Sequence, residues 1–330
     1  MQYKTVKGFT GFAQLGILLV FLGLGFILAG GVQLIICLQI IPAGIPLKKM
    51  NELMLKALLD PQNVSYARLA QVLGSFFSLF VPAVLYSWIV NGRNKFWLGF
   101  NRYINIYQVL IGFAIIFFAN VLAAPLEDLS KAAMAHLPSL DTVARDLEKM
   151  YNDNVAALSN LKSWPEFIMA IFIMAFFPAL FEEVFFRGAV QNLLVRWWKA
   201  PLLAIIATSL FFSLFHMSVY LFLSRAVLGF ILGLLYHRTK NIWVNVIAHF
   251  LNNLLALIQL FYMSGPGKQP DLSNPKVPWW FALLALAILV LLFRMLMKYS
   301  AANKEKIDAQ EQLVTAKENV YNPFAKTEIN

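Results

Sequence analysis

Charged residues are clustered along this chain, and long apolar stretches separate the clusters. A helix that crosses a bilayer needs about 20 mostly apolar residues, so the gaps between charges mark candidate spans. Residues 8–47 carry no charge at all, which predicts a first helix over about 9–41, stopped by Pro42 and Pro46. Lys4 and Lys7 precede this run, but it is too long for a secretory leader and lacks a small-residue cleavage site. It reads as a retained helix. Further gaps predict spans over 69–90, 103–123, from 165 onward, 201–216, 219–236, 241–261 and 277–293. The expectation is an all-α, polytopic transmembrane helix bundle of about eight spans.

Two stretches break the pattern. Residues 125–164 hold Glu127, Asp128, Asp141, Asp146, Glu148 and Asp153, and their apolar spacing suits short amphipathic helices. Residues 301–330 are polar and mixed in charge, which reads as a solvated tail, helical at first and frayed later. The chain thus divides into N-terminal transmembrane helices (1–123), a polar extramembrane loop (124–164), a membrane core (165–297) and a polar C-terminal tail (298–330). Lys and Arg favour cytoplasmic helix ends. With the N-terminus inside, Lys4, Lys7, Arg93, Lys95, Arg102, Arg196, Lys199, Arg238, Lys240, Arg294 and Lys298 all fall on the cytoplasmic side. Lys48, Lys49 and Lys56 oppose this arrangement, and the balance places a multi-pass protein in the cell membrane with both termini cytoplasmic.

Composition agrees. Of 330 residues, 60% are hydrophobic and 13% charged, against about a quarter charged in soluble domains. That argues against a cytosolic enzyme and a disordered chain. The single cysteine, Cys37, permits no internal disulfide and no cysteine metal cluster. The net charge of +10 follows helix ends and forms no long basic run, so no nucleic-acid partner is expected. Membrane lipid and a peptide or protein substrate are.

Ionisable side chains at membrane depth are costly and mark functional sites. Three clusters stand out: Glu182-Glu183-Val184-Phe185-Phe186-Arg187, Phe212-Ser213-Leu214-Phe215-His216, and His249-Phe250-Leu251-Asn252-Asn253. Glu183 and Arg187 are four apart and can pair on one helix face, while Glu182 is turned about 100° away. His249 and Asn253 also share a face. At about 1.5 Å per residue, Glu182 lies about 21 Å from Arg196, His216 about 25 Å from Lys199, and Asn253 about 20 Å from Lys240. These depths overlap. A carboxylate beside an imidazole can hold and deprotonate water, while a second imidazole and an amide can donate to an oxyanion. Glu182, His216 and His249 are equally a zinc-ligand set, so a glutamate-type hydrolase and an intramembrane metalloprotease are both open, with zinc or with no metal. No HExxH motif decides between them. Arg225, inside the sixth span, is a candidate pocket residue. His237 reads as interfacial, and His136 carries no signal.

The EExxxR, FxxxH and HxxxN series, in this order on successive helices, resembles the CPBP intramembrane proteases, which include the type II CAAX prenyl proteases and bacteriocin-associated bacterial proteins. Tyr236-His237-Arg238-Thr239-Lys240-Asn241-Ile242-Trp243, leading into Ala248-His249, is similar too. The resemblance covers about residues 165–260. It implies an endopeptidase acting on a prenylated CAAX-type or leader-like peptide. Glu182 would be the water-activating base and Glu183 would order Arg187. His216 would assist Glu182, and His249 and Asn253 would stabilise the oxyanion. The competing class is a non-proteolytic transporter or scaffold with a buried polar cluster. Inverted repeats with broken helices would favour a transporter, and the sequence shows none. With eight spans, reporter fusions placed after Lys4 and after Asn330 should both report a cytoplasmic location, and opposite sides would require an odd number of spans.

Overall fold

A computed structural model describes residues 5–42, 44, 46–159, 161, 163–264 and 277–320. Lys4, the loop around Gly265 and the last ten residues of the tail lie outside the described residues. The chain is an integral membrane protein whose described residues form ten helices: α1 (Gly11–Cys37), α2 (Leu47–Leu59), α3 (Pro61–Val90), α4 (Ile106–Ala135), α5 (Pro138–Leu158), α6 (Trp164–Trp198), α7 (Pro201–Phe215), α8 (Phe222–Thr239), α9 (Ile242–Ser264) and α10 (Trp279–Val320). Each of the eight segments expected to span is helical. Six of these helices, α1, α3, α4, α6, α9 and α10, are long and apolar enough to cross a membrane. With 15 residues, α7 reaches only about 22 Å, short of the hydrocarbon layer of about 30 Å. The count of eight spans is therefore approximate.

The exterior is apolar and the interior partly polar. Phe12 and Ile27 on α1 and Leu283 and Trp280 on α10 point outward, as suits lipid. Inside, α6 is the axis of the bundle. Phe181, Val184, Phe185, Phe186, Ala189 and Val190 are buried against α1, α3 and α7. A second cluster joins Ile111 and Ile115 of α4 to Leu232 and Leu235 of α8, Val244 and Ala248 of α9, and Leu289 and Leu296 of α10. Polar contacts fix the register between helices. Gln108, in the capping box that starts α4, donates to Ser300 Oγ on α10 at 3.0 Å. Asn241 donates to Asn101 Oδ1 (2.8 Å) while Asn101 donates to the Lys240 carbonyl (2.8 Å). That clasp sets where α9 begins and hence which of its faces turns inward.

Prolines shape two interruptions of the long helices. Pro82 in α3 and Pro178 in α6 each follow a π-helical stretch, Phe76–Phe80 and Ile171–Phe176. A proline ring clashes with the carbonyl four residues earlier and offers no N–H to it. Widening the preceding turn accommodates both defects. A third π-helical stretch, Val184–Gln191, begins directly after the acidic doublet.

Two elements differ from expectation. The polar stretch after residue 124 forms the end of α4, which runs through Pro125, and then the single 21-residue helix α5 rather than several short ones. The first part of the tail continues the last span as one helix of 42 residues. It is not wholly solvated: Ile307 and Val314, two turns apart, pack on Phe96 and Trp97, and Glu311 pairs with Arg196 at 3.0 Å.

Helix α6 approaches the Lys95–Leu98 turn closely at Gly188, where an added Cβ would lie 2.8 Å from the Leu98 carbonyl oxygen. Backbone cannot swing aside as a side chain can. Gly188→Ala should destabilise the protein by about 1–3 kcal/mol, the usual cost of overpacking, seen as a lower melting temperature in detergent.

Candidate active site

Glu182 and Glu183 are consecutive on α6, so the helix turns them to different neighbours. Glu183 faces α8 and α9 and is completely buried, as is Arg187 (both 0% exposed). Its Oε1 lies 3.1 Å from Arg187 NH1 and 2.9 Å from His249 Nδ1. Its Oε2 accepts from Asn245 Nδ2 at 3.1 Å. Arg187 also donates to the Gly229 carbonyl (3.1 Å) and sits 4.9 Å from the ring centre of Phe212. Asn245 in turn donates to the Leu232 carbonyl at 2.8 Å. One carboxylate thus ties α6 to α9 directly and, through Arg187 and Asn245, to α8.

Glu182 faces the other way. Its Oε2 is buried and has no hydrogen-bond partner among the described residues. It lies 3.9 Å from His216 Nε2 and 3.8 Å from His249 Nε2. These separations are too long for a direct hydrogen bond and are of the kind a shared small bridging group spans. His216 ends α7, and its Nδ1 donates to the Phe212 carbonyl at 2.9 Å. A carbonyl can only accept, so in the neutral ring the bare nitrogen is Nε2, the one that faces Glu182. The Phe212 ring packs against His216 at 4.7 Å and approaches His249 at 6.1 Å. It shields one side of the cluster from water.

The remaining candidates are placed as follows. Asn253 lies two turns beyond Asn245 on α9; its amide is 3.5 Å from the Ala175 carbonyl and is approached by Asn252 at 3.5 Å. Both contacts are at the limit of hydrogen bonding. Arg225 NH1 is 3.4 Å from the His216 carbonyl, and the residue lines a cavity of about 400 Å³ with Asn120, Ser224 and Asn252. The possible metal set Glu182, His216 and His249 is the trio just described, at 3.8 and 3.9 Å from the carboxylate to each imidazole. Among the described residues, no group of three or more His, Cys, Asp or Glu side chains is disposed to hold a metal ion.

Two residues at the centre of this arrangement were not picked out from the sequence. Asn245 precedes His249 by four residues and extends the His249–Asn253 stripe by one turn, a spacing that was readable. Phe212 was visible in its motif as a letter, but its dual use of carbonyl and ring depends on α7 ending at His216.

The buried charges predict a stability effect. Removing one partner of such a pair leaves the other uncompensated, typically at a cost of roughly 3–5 kcal/mol. Glu183→Ala should lower the melting temperature markedly in detergent, whereas an unchanged value would mean that Arg187 finds water or another partner.

Residues 164–255 match the family model of the type II CAAX prenyl endopeptidases, Rce1-like. No curated protein and no solved structure matches the chain. The matched stretch runs from the start of α6 into α9 and includes Glu182, Glu183, Arg187, His216, Asn245, His249 and Asn253. The chain therefore carries an Rce1-like segment, and the glutamate–histidine cluster lies wholly within it.

Proposed function

We propose that the protein is an intramembrane endopeptidase in which Glu182 activates water to cleave a peptide bond. The observation that supports this most is the unpartnered, buried Glu182 Oε2 facing two imidazole nitrogens at 3.8 and 3.9 Å. A water between these groups donates one hydrogen to Glu182 and the other to His216 Nε2, which orients its lone pair toward a substrate carbonyl. Attack forms the new C–O bond as the water's proton passes to Glu182. His249, turned by its Nδ1 contact with Glu183, and the amide of Asn253 are the groups that stabilise the oxyanion. Collapse breaks the C–N bond, and Glu182 returns its proton to the leaving amine. The second water proton follows to the amine, so the products are a carboxylate and an ammonium group, and the glutamate is regenerated.

The substrate is a peptide or protein that reaches the site from the bilayer or the cytoplasm, either a prenylated CAAX-type chain or a leader-like peptide. The catalytic core is 165–297, with the helices of 1–123, the 124–164 segment and the 298–330 tail as supporting parts. The protein resides in the cell membrane with both termini cytoplasmic. For a metal-assisted version, Glu182, His216 and His249, which as placed form no metal-holding group, would have to close on an ion, which would supply Lewis-acid activation of the water.

Glu182→Gln keeps size and hydrogen bonding and removes the base, so cleavage should fall to background with the fold intact. Asn253→Ala removes one oxyanion donor, for which a loss of about 10²–10³ in rate is expected, less than for Glu182→Gln. Peptidomics of membranes carrying wild-type or Glu182→Gln protein identifies substrates for this comparison. Exhaustive chelation separates the two versions: surviving activity supports water activated by glutamate alone, and loss restored by zinc supports the metal-assisted one. Full proteolysis by Glu182→Gln would contradict both.

A further inference from the structure

His216 stands at a weak point of the backbone. It is the residue after the last turn of α7, and the next residue, Met217, has φ +52°, a left-handed conformation that side chains other than glycine rarely adopt. The segment from Met217 to Leu221 then leads to α8 without regular structure of its own beyond short turns. A catalytic group on such a turn needs an external support to hold it within the tolerance that catalysis demands.

That support comes from α5, which lies outside the stretch that matches the family model. Glu148 Oε2 accepts from Ser218 Oγ at 2.6 Å, and the same Ser218 Oγ accepts from the Leu221 amide at 3.2 Å, closing the turn. Asp141 Oδ1 accepts from Tyr220 Oη at 2.6 Å, and its other oxygen is held by Arg145 on α5 itself. Tyr151 lies 4.5 Å beneath the Arg225 guanidinium, whose NH1 reaches back to the His216 carbonyl at 3.4 Å. Asp141, Glu148 and Tyr151 are separated by seven and three residues and so lie on one face of the helix. Two contacts from that face therefore grip the segment after the strained Met217, and the third braces Arg225, which reaches the carbonyl before it.

We propose that α5 is a strap that sets the position of His216, with Asp141 and Glu148 as its positioning residues and Tyr151 acting through Arg225. This rests on the peptidase reading only for its effect on rate; the mechanical claim stands apart from it.

Hydrogen exchange on the full-length protein in detergent tests the strap directly. In Asp141→Ala/Glu148→Ala, amides of 216–221 should exchange about tenfold faster or more, through local opening, while α9 keeps its protection. Asp141→Asn/Glu148→Gln keeps one acceptor oxygen at each position, enough for Tyr220 and Ser218, and should match wild type at 216–221. Kinetics give the second arm: the Ala pair should lower kcat by about tenfold with KM within about twofold, as a misplaced catalytic group does. Added to His216→Ala, it should cause no further loss. Unchanged exchange at 216–221 in the Ala pair would overturn the proposal, as would a loss that multiplies with that of His216→Ala. If the wild-type protein cleaves no peptide, the proposed function fails while the exchange result still decides the strap.

Discussion

The buried carboxylate of Glu183 is the constraint on which the rest of the site depends. An ion without solvent exposure survives only when its partners replace water, and here Arg187, His249 and Asn245 do so within 3.1 Å. Those partners come from its own helix and from α9, and Arg187 and Asn245 are themselves held by carbonyls of α8. Satisfying one charge thus fixes the relative rotation of three helices. It also orients the His249 ring, because Nδ1 is committed to Glu183 and Nε2 must then face Glu182. The neighbouring carboxylate is left with an oxygen that has no hydrogen-bond partner among the described residues. Two adjacent glutamates consequently have different duties, one closing a structural network and the other facing a gap.

Packing carries this arrangement outward. Close approach of α8 to α7 is possible because Gly229 and Gly233 present no side chain there: a Cβ on Gly229 would touch the Phe212 ring at 3.1 Å, and one on Gly233 would meet Ile205 at 2.7 Å. Small residues four apart are a common means of bringing membrane helices together. The same approach lets the Gly229 carbonyl reach Arg187 and places Phe212 against both imidazoles. Outside this group, α1, α3, α4 and α10 enclose the cluster and turn apolar surface to lipid.

Much of this was legible in the sequence because the membrane leaves few options for a charge. The gaps between charged residues marked all six helices that are long and apolar enough to cross a membrane, together with α7 and α8, but not α2 or α5. The i,i+4 spacings of Glu183 with Arg187 and of His249 with Asn253 announced shared faces. What stayed hidden depends on long-range contact. The partition of one glutamate toward Arg187 and His249 together arises only when α9 is docked by the Asn101–Asn241 clasp. The π-helical stretch after Glu183 alters the side-chain directions along α6 by an amount that 3.6-residue periodicity does not contain. The docking of Ile307 and Val314 onto Phe96 and Trp97 looked like ordinary apolar residues in a polar tail. The grip of α5 on the His216 segment joins residues about 70 to 80 apart in the chain, for which composition offers no cue.

The central claim is that Glu182 is left free to activate a water molecule rather than to attack substrate itself. A single turnover in ¹⁸O-enriched water, with a peptide whose cleavage requires Glu182, tests this most directly. Attack by activated water places ¹⁸O in the new carboxylate of the product and leaves Glu182 unlabelled. Unlabelled product together with ¹⁸O in the Glu182 side chain would show that the glutamate had attacked the carbonyl, and would contradict the account.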